Sequence, residues 1–260
     1  MKISIIMVDG GFREYIFAAE YFSNQEFPAA EYEMTWNEYF KRPHRELKNY
    51  PRVNVQTLNR QGLYHSSYCF NAGIKAAQGE ILVIPDADIM VDNDFLSAVY
   101  DEHSKNPELV MYFYRLCQDE KSFDRNNFSF EYIKKTSSFM VSNIDNYGGC
   151  LTLRKKWLLQ IDGYEQHRAF ATGNHANGKD VYTRLKNLGL YVKWHPHKFL
   201  YHPWHPGSGG AGRDDRRIKW QKKIIEYKAT RLMTTAFEGI NNICPEGYQA
   251  PPPPSGDPDK

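Results

Sequence analysis

No apolar run in the chain approaches the roughly 18 residues that cross a bilayer. Any contact with a membrane is therefore expected to be peripheral or through a partner. Cysteine is scarce. The four thiols, Cys69, Cys117, Cys150 and Cys244, stand far apart and form no Cys-x-x-Cys pair. That argues against a disulfide framework and against the paired spacing of structural zinc sites, and it fits a reduced, cytoplasmic setting. An excess of one charge is also missing. With 33 Lys and Arg against 31 Asp and Glu, the net charge of +2 gives too weak a field to favour nucleic acid as a partner. No secretory leader is evident, because Lys2-Ile3-Ser4-Ile5-Ile6-Met7-Val8 is too short for one and reads as a first strand. No internal repeat occurs.

What is abundant is aromatic side chains, 15% of the chain, with 18 Tyr and 5 Trp. Most such rings fill cores, but a surplus leaves room for stacking on a sugar or a base. The rest of the pattern is a succession of strands and helices. Residues 3–8 are an apolar strand, and Phe12, Ile16, Ala19 and Phe22 recur at helical spacing. Strands follow at 32–36 and 53–58. Ser66 or Ser67 is placed to cap a helix through Phe70, Gly73, Ile74 and Ala77, which Gly79 ends. After a strand at 81–84, Asp92 or Asn93 caps a helix through Phe95, Leu96 and Val99, and a strand runs from Leu109 to Tyr114. Such alternation predicts a mostly parallel, covered sheet. Residues 117–140 show no clear period. A glycine-entered strand at 147–153, a short helix at 154–161, a loop at 170–179 and a helix opened by Asp180 complete the core region. The glycine-rich stretch 206–215 reads as a flexible loop, 216–239 as a basic helix, and the proline-rich 250–260 as disordered.

Asp86-Ala87-Asp88 is the chemically richest point. It follows the buried-looking run Ile81-Leu82-Val83-Ile84-Pro85. Residues i and i+2 of an extended chain point the same way, so two carboxylates emerge together at a strand's carboxyl end. Hard divalent cations take carboxylate and phosphate oxygens, and open α/β sheets bind ligands at that edge. A solvated turn is the alternative. Later in the chain, His195, His197, His202 and His205 fall within eleven residues. Taken singly, each reads more readily as a surface or packed imidazole than as a metal ligand.

The eighteen residues from Asn71 to Asp88 run Asn-x-Gly helix, Ala-x-Gly-Glu turn, strand, Asp-Ala-Asp. In this order they resemble the family-2 glycosyltransferases, which have the GT-A fold. Gly148-Gly149, Leu153-Arg154 and Asp162-Gly163-Tyr164-Glu165 give a second match, and Gly178-Lys179-Asp180 with Arg184-Leu185 a third. Tyr201-His202-Pro203-Trp204-His205-Pro206-Gly207 resembles the family's C-terminal segment, in which a His completes the metal shell. The resemblance covers about residues 1–206.

It implies a set of roles. Asp86 and Asp88 with His202, or His205 in second place, hold Mn²⁺ or Mg²⁺; imidazole in the set favours Mn²⁺. Asp9, Glu38, Asn71, Asp86 and Ala87 contact the nucleotide sugar, although Asp9 and Glu38 read equally as exposed turn acids. Gly149 and Lys179 lie on the acceptor side. Asp180 is the catalytic base, or else only a helix cap; Glu165 is the fallback. Lys179 stands where the family has Glu, and it would hold Asp180 ionised, bind an acidic acceptor, or mark the loss of the usual acceptor hydrogen bonds. Apart from the resemblance, Arg213, Arg216 and Arg217 near the glycine-rich loop are placed to clamp the diphosphate when the loop closes.

The reading is an α/β, GT-A-like single domain over 1–206, with a nucleotide-binding half of about 1–115 and an acceptor half of about 116–206. A loop and C-terminal helix (207–245) and a disordered tail (246–260) follow. The implied activity is metal-dependent, inverting transfer of a sugar from a UDP-sugar to a saccharide or glycoconjugate hydroxyl, in polysaccharide or glycoconjugate synthesis. A nucleotidyltransferase and a non-catalytic sugar- or nucleotide-binding module are the alternatives.

Overall fold

The computed structural model describes residues 1–43, 45–140, 145–171, 176–205, 214–242 and 244–255. In chain order the elements are β1 Ile3–Asp9, α1 Phe17–Ser23, β2 Tyr32–Glu38, β3 Val53–Thr57, α2 Ser66–Ala76, β4 Ile81–Pro85, α3 Phe95–Lys105, β5 Leu109–Gln118, α4 Phe130–Thr136, β6 Ser137–Phe139, β7 Cys150–Arg154, α5 Lys155–Gln160, α6 Ala176–Asn187, β8 Tyr191–His202 and α7 Asp215–Thr230.

A nearly continuous apolar run such as β1 is stable only with both faces covered. It lies between β2 and β4, parallel to both, and every residue in it is buried. Its alternation sorts the helices. Ile3, Ile5 and Met7 pack with Ala18, Ala19 and Phe22 of α1 and with Phe95, Leu96 and Val99 of α3. Ile6 and Val8 face the other way, onto Ile74 of α2, Leu158 of α5, and Val181 and Leu185 of α6. The full order is β3-β2-β1-β4-β7-β5-β6, with β8 also paired to β5. β7 runs antiparallel to both β4 and β5, and β8 returns parallel to β5. The α/β expectation holds.

Boundaries moved where side chains had other partners. Helix α1 begins at Phe17, not Phe12, because Gly11 (φ +72°) turns the chain and Arg13 is held by carboxylates. Ser66 and Ser67 lie inside α2, whose N-cap is His65. Asp94 holds the N-cap position of α3 without a side-chain capping bond, its carboxylate pairing with Lys198; Asp92 pairs with Lys134 at 2.9 Å, and Asn93 with Glu26. The first turn of α6 occupies residues 176–179, read from sequence as loop. Helix α7 stops at Thr230, and the chain beyond it folds back, with Ala236 N–H donating to Ile161 and Ile240 N–H to Asp162. Part of the proline-rich tail packs too: the Trp220 indole donates to the Pro251 carbonyl at 2.6 Å. The glycine loop 206–213 lies outside the described residues.

Two buried imidazoles make stability acid-sensitive. His65 bonds the Gln166 carbonyl and His103 the Thr152 hydroxyl, and burial lowers both to about 4. The unfolded chain binds protons at these sites from about pH 6.5 downward, while the folded one does so only near 4. Stability should therefore be constant above about pH 7 and fall between 6.5 and 4, by on the order of 1–3 kcal/mol per histidine. Thermal melts across that range check this, and His103→Gln should flatten the slope.

Candidate functional site

The site is assembled where two distant segments meet. Beyond β4, Asp86 N–H donates to the Gly149 carbonyl at 2.8 Å, which seats the turn on the end of β7. Met90 and Tyr201 then exchange both backbone hydrogen bonds, at 2.8 and 2.9 Å. This bridge brings the end of β8 alongside Asp88. His202 Nε2 lies 3.8 Å from Asp88 Oδ1, and His205 Nε2 lies 3.5 Å from Asp88 Oδ2. One ligand atom from each of the three falls within 4.8 Å of the others. Burial lowers His202 to about 4, outweighing the pull of Asp88, so its imidazole is neutral with a lone pair to give. A carboxylate oxygen with imidazole nitrogens fits Mn²⁺ better than an all-oxygen Mg²⁺ shell would. Both histidines face Asp88, where the sequence left a choice between them. Asp86 is not part of this trio.

Asp86 instead faces Arg13 at 3.9 Å and Arg115 at 3.7 Å. Burial, then the nearby Asp88, pushes its carboxyl up to about 6. Asp88 is also raised by burial, but Arg13 and the two histidines outweigh that and hold it well below the usual range. Arg13 is central. Its Nε donates to Asp88 Oδ2 at 2.9 Å and its Nη1 to Asp9 Oδ1 at 3.1 Å. Among the described residues, Asp9 Oδ2 is buried with no hydrogen-bond partner at the end of β1.

These groups floor a cavity of about 800 Å³. Phe12 and Tyr64, edge to face at 5.5 Å, line the wall beside Asp9. Tyr147, Gly148, Asn177 and Gly178 line the opposite wall, with Asp145 at its rim. Gly178 is required there, since a Cβ would lie 2.5 Å from the Tyr147 carbonyl oxygen.

Several expected site residues sit elsewhere. Glu38 is fully buried, accepts the Trp36 indole N–H at 2.7 Å, and does not line the cavity. Asn71 clamps the Tyr164 backbone through both amide atoms, at 2.7 and 2.8 Å. Ala87 is buried, and its carbonyl accepts from Ala18. Gly149 is buried behind Gly148, which is the exposed one of the pair. Lys179 points outward, over the Tyr147 and Tyr182 rings at 4.4 and 4.8 Å, and does not touch Asp180. Arg217 is buried against the Arg168 carbonyl and Asp214; Arg216 is on the exposed side of α7, and Arg213 lies outside the described residues.

The largest correction concerns Asp180. It is neither a cap nor at the cavity. It lies in the second turn of α6, wholly buried, with Arg184 at 2.6 Å on one oxygen and Lys228 at 2.6 Å on the other. Lys228 also binds Glu165 at 2.6 Å, and Glu165 accepts the N–H groups of His167, Phe237 and Glu238. Burial alone would raise Glu165, but Lys228 and Arg184 bring it far below its ordinary value. Both acids thus sit in a closed network of two carboxylates and two cations, and neither lines the cavity. The i, i+4 spacing of Asp180 and Arg184 was the signal for this pairing.

Residues 37–161 match the model of glycosyl transferase family 2. No curated protein sequence matches the chain. Among solved structures, S. aureus TarS 1–349 in complex with UDP superposes with a TM-score of 0.57 at 16% identity, over 90% of this chain and 64% of that one. The same protein in complex with UDP-GlcNAc gives 0.56 at 15%, over 88% and 66%. The mannosyltransferase PcManGT from Pyrobaculum calidifontis, in complex with GDP-Man and Mn²⁺, gives 0.56 at 14%, over 88% and 64%. The fold is therefore that of GT-A glycosyltransferases, and the chain spans about two thirds of the length of these neighbours.

Removing one partner from the buried network leaves an uncompensated charge. Asp180→Ala should cost about 3–5 kcal/mol. At about 2–4 °C per kcal/mol for a chain near this size, melting should drop by about 10 °C. Donor binding by the folded variant should be unchanged, which calorimetry at low temperature checks.

Proposed function

We propose that this chain, whose residues 37–161 match glycosyl transferase family 2, transfers a sugar from a nucleoside diphosphate sugar to an acceptor hydroxyl with the aid of a divalent metal. The observation that carries the reading is the Asp88, His202 and His205 trio on the floor of the cavity, at the carboxyl ends of β1 and β4. Those three residues would hold Mn²⁺ or Mg²⁺. When bound, the ion supplies Lewis-acid stabilisation of the leaving diphosphate. Arg13 and Arg115 add positive charge on the same floor. Asp9, through its unpartnered Oδ2, accepts a base N–H, and Phe12 and Tyr64 offer faces to the ring. We favour UDP as the donor nucleotide, since a uracil imide offers one N–H to one oxygen. The four free cysteines support a reducing compartment, and we assign the protein to cytoplasmic polysaccharide or glycoconjugate synthesis.

Inversion at the sugar requires a carboxylate that takes the acceptor's proton as the oxygen attacks. Asp180 and Glu165 are withheld from that task by their ion pairs. Asp145 is the exposed carboxylate on the Tyr147–Gly148 wall, and we assign it the role. The withdrawal of Asp180 is also the observation that favours the second reading, a sugar- or nucleotide-binding module without catalysis.

Turnover of a UDP-sugar should vanish in EDTA and return with Mn²⁺, and Asp88→Asn should abolish it while the melting curve stays two-state. Full turnover in EDTA would refute the metal requirement. In a thermal-shift panel, UDP-sugars with Mn²⁺ should stabilise more than GDP-sugars, since a ligand of the native state raises stability by mass action. Asp145→Asn should lower the transfer rate by about 10²–10⁴, with donor affinity unchanged. Donor binding with no transfer or hydrolysis in the unmutated protein would favour the module.

A further inference from the structure

Arg13 touches all three carboxylates of the cavity floor. Nε is 2.9 Å from Asp88, Nη1 is 3.1 Å from Asp9, and Nη2 is 3.9 Å from Asp86. Nη1 also reaches the Val8 carbonyl, at 3.5 Å. The oxygen of Asp88 that Arg13 binds, Oδ2, is the one His205 approaches. One carboxylate is thus shared between a resident guanidinium and the two imidazoles of the candidate metal trio. Three carboxylates, Asp9, Asp86 and Asp88, face two guanidiniums, Arg13 and Arg115, which leaves the floor with one negative charge in excess. A divalent ion would reverse that balance to one positive charge in excess. It would weaken the hold of Asp88 on Arg13, because the carboxylate's lone pairs and field would then serve two cations.

We infer that Arg13 has two successive partners: it pairs with Asp88 when no metal is bound there, and it turns to the donor's diphosphate when metal and nucleotide arrive. A planar guanidinium matches phosphate oxygens two at a time, and Arg13 is already anchored by Asp9 beside the end of β1. Its side chain is 22% exposed, so it has access to the cavity. The inference rests on the nucleotide-sugar reading above and adds a thermodynamic consequence. Metal and diphosphate binding are coupled through Arg13, and the coupling is reciprocal. A residue that merely props up Asp88 would produce the opposite effect on the metal.

The test is calorimetry on the full chain, titrating Mn²⁺ alone, UDP in EDTA, and UDP in saturating Mn²⁺, for the unmutated protein, Arg13→Gln and Arg13→Lys. Arg13→Gln should bind Mn²⁺ alone severalfold more tightly, because a competing cation is gone. It should bind UDP with Mn²⁺ about tenfold or more weakly, because a charge-assisted phosphate contact is lost. The two shifts together shrink the Mn²⁺–UDP coupling. Arg13→Lys keeps the charge but not the fork, so its Mn²⁺ affinity should stay near normal while UDP weakens; it also serves if Arg13→Gln fails to fold. Weaker binding of Mn²⁺ alone to Arg13→Gln, or UDP affinity unchanged in both variants, overturns the inference. Failure of the unmutated protein to bind Mn²⁺ and UDP overturns the functional reading itself, so the two failures are distinct.

Discussion

The pair of backbone hydrogen bonds between Met90 and Tyr201 is the contact on which the cavity floor depends. Asp88 and His202 are more than a hundred residues apart in sequence, and no local preference brings them together. Strand β8 reaches that point only because it is re-aimed on the way. It pairs with β5 from Tyr191, loses register between Tyr112 and Tyr114, and resumes at Phe199. Pro196 lies in the break, where its missing N–H costs no ladder bond. His195 Nδ1 accepts the backbone N–H groups of His197 and Lys198 and closes the bulge. A bulge next to a functional edge is a common way to redirect a strand. Here it explains why four clustered histidines divide into one that shapes the backbone, one exposed, and two that face Asp88.

Two groups of buried charge serve opposite ends. Asp180, Glu165, Arg184 and Lys228 form a closed set in which every carboxylate oxygen has a donor and no side chain of the four is appreciably exposed. Such a set ties α7 and the chain after it to α6, and so holds in place the helix start that bears Asn177 and Gly178. None of the four lines the cavity. Asp9, Asp86, Asp88, Arg13 and Arg115 form an open set. Asp86 keeps 27% of its side chain exposed, and Asp9 keeps an unpartnered oxygen. In a low-dielectric cleft an unfinished set is what an incoming phosphate, ion or base N–H completes.

The fold was legible where hydrophobic period and glycine placement act locally. The apolar runs at β1 and β4, the helix through Phe70 and Ile74, and the Asp-Ala-Asp turn all appear where the sequence put them. The helix and strand between Phe130 and Phe139 were hidden, because their apolar residues, such as Ile133, pack on Met90 and Tyr201 and follow no simple period. Arg13 and Arg115 were missed for a different reason. An arginine that ends against a distant aspartate looks no different in sequence from one in water.

By itself, the sequence determined that this is an α/β chain with acid groups at a strand end and histidines available near its C-terminal region. Those properties follow from strand alternation, turn chemistry and residue type, which are local. Only the tertiary structure decided which acids face the cavity. Asp180 and Asp88 are the same residue type in similarly suggestive motifs. One is sealed by a lysine 48 residues further on, and the other is met by histidines and an arginine from opposite ends of the chain. The difference is desolvation and partner charge, which are set by what packs over a side chain and not by its neighbours in sequence.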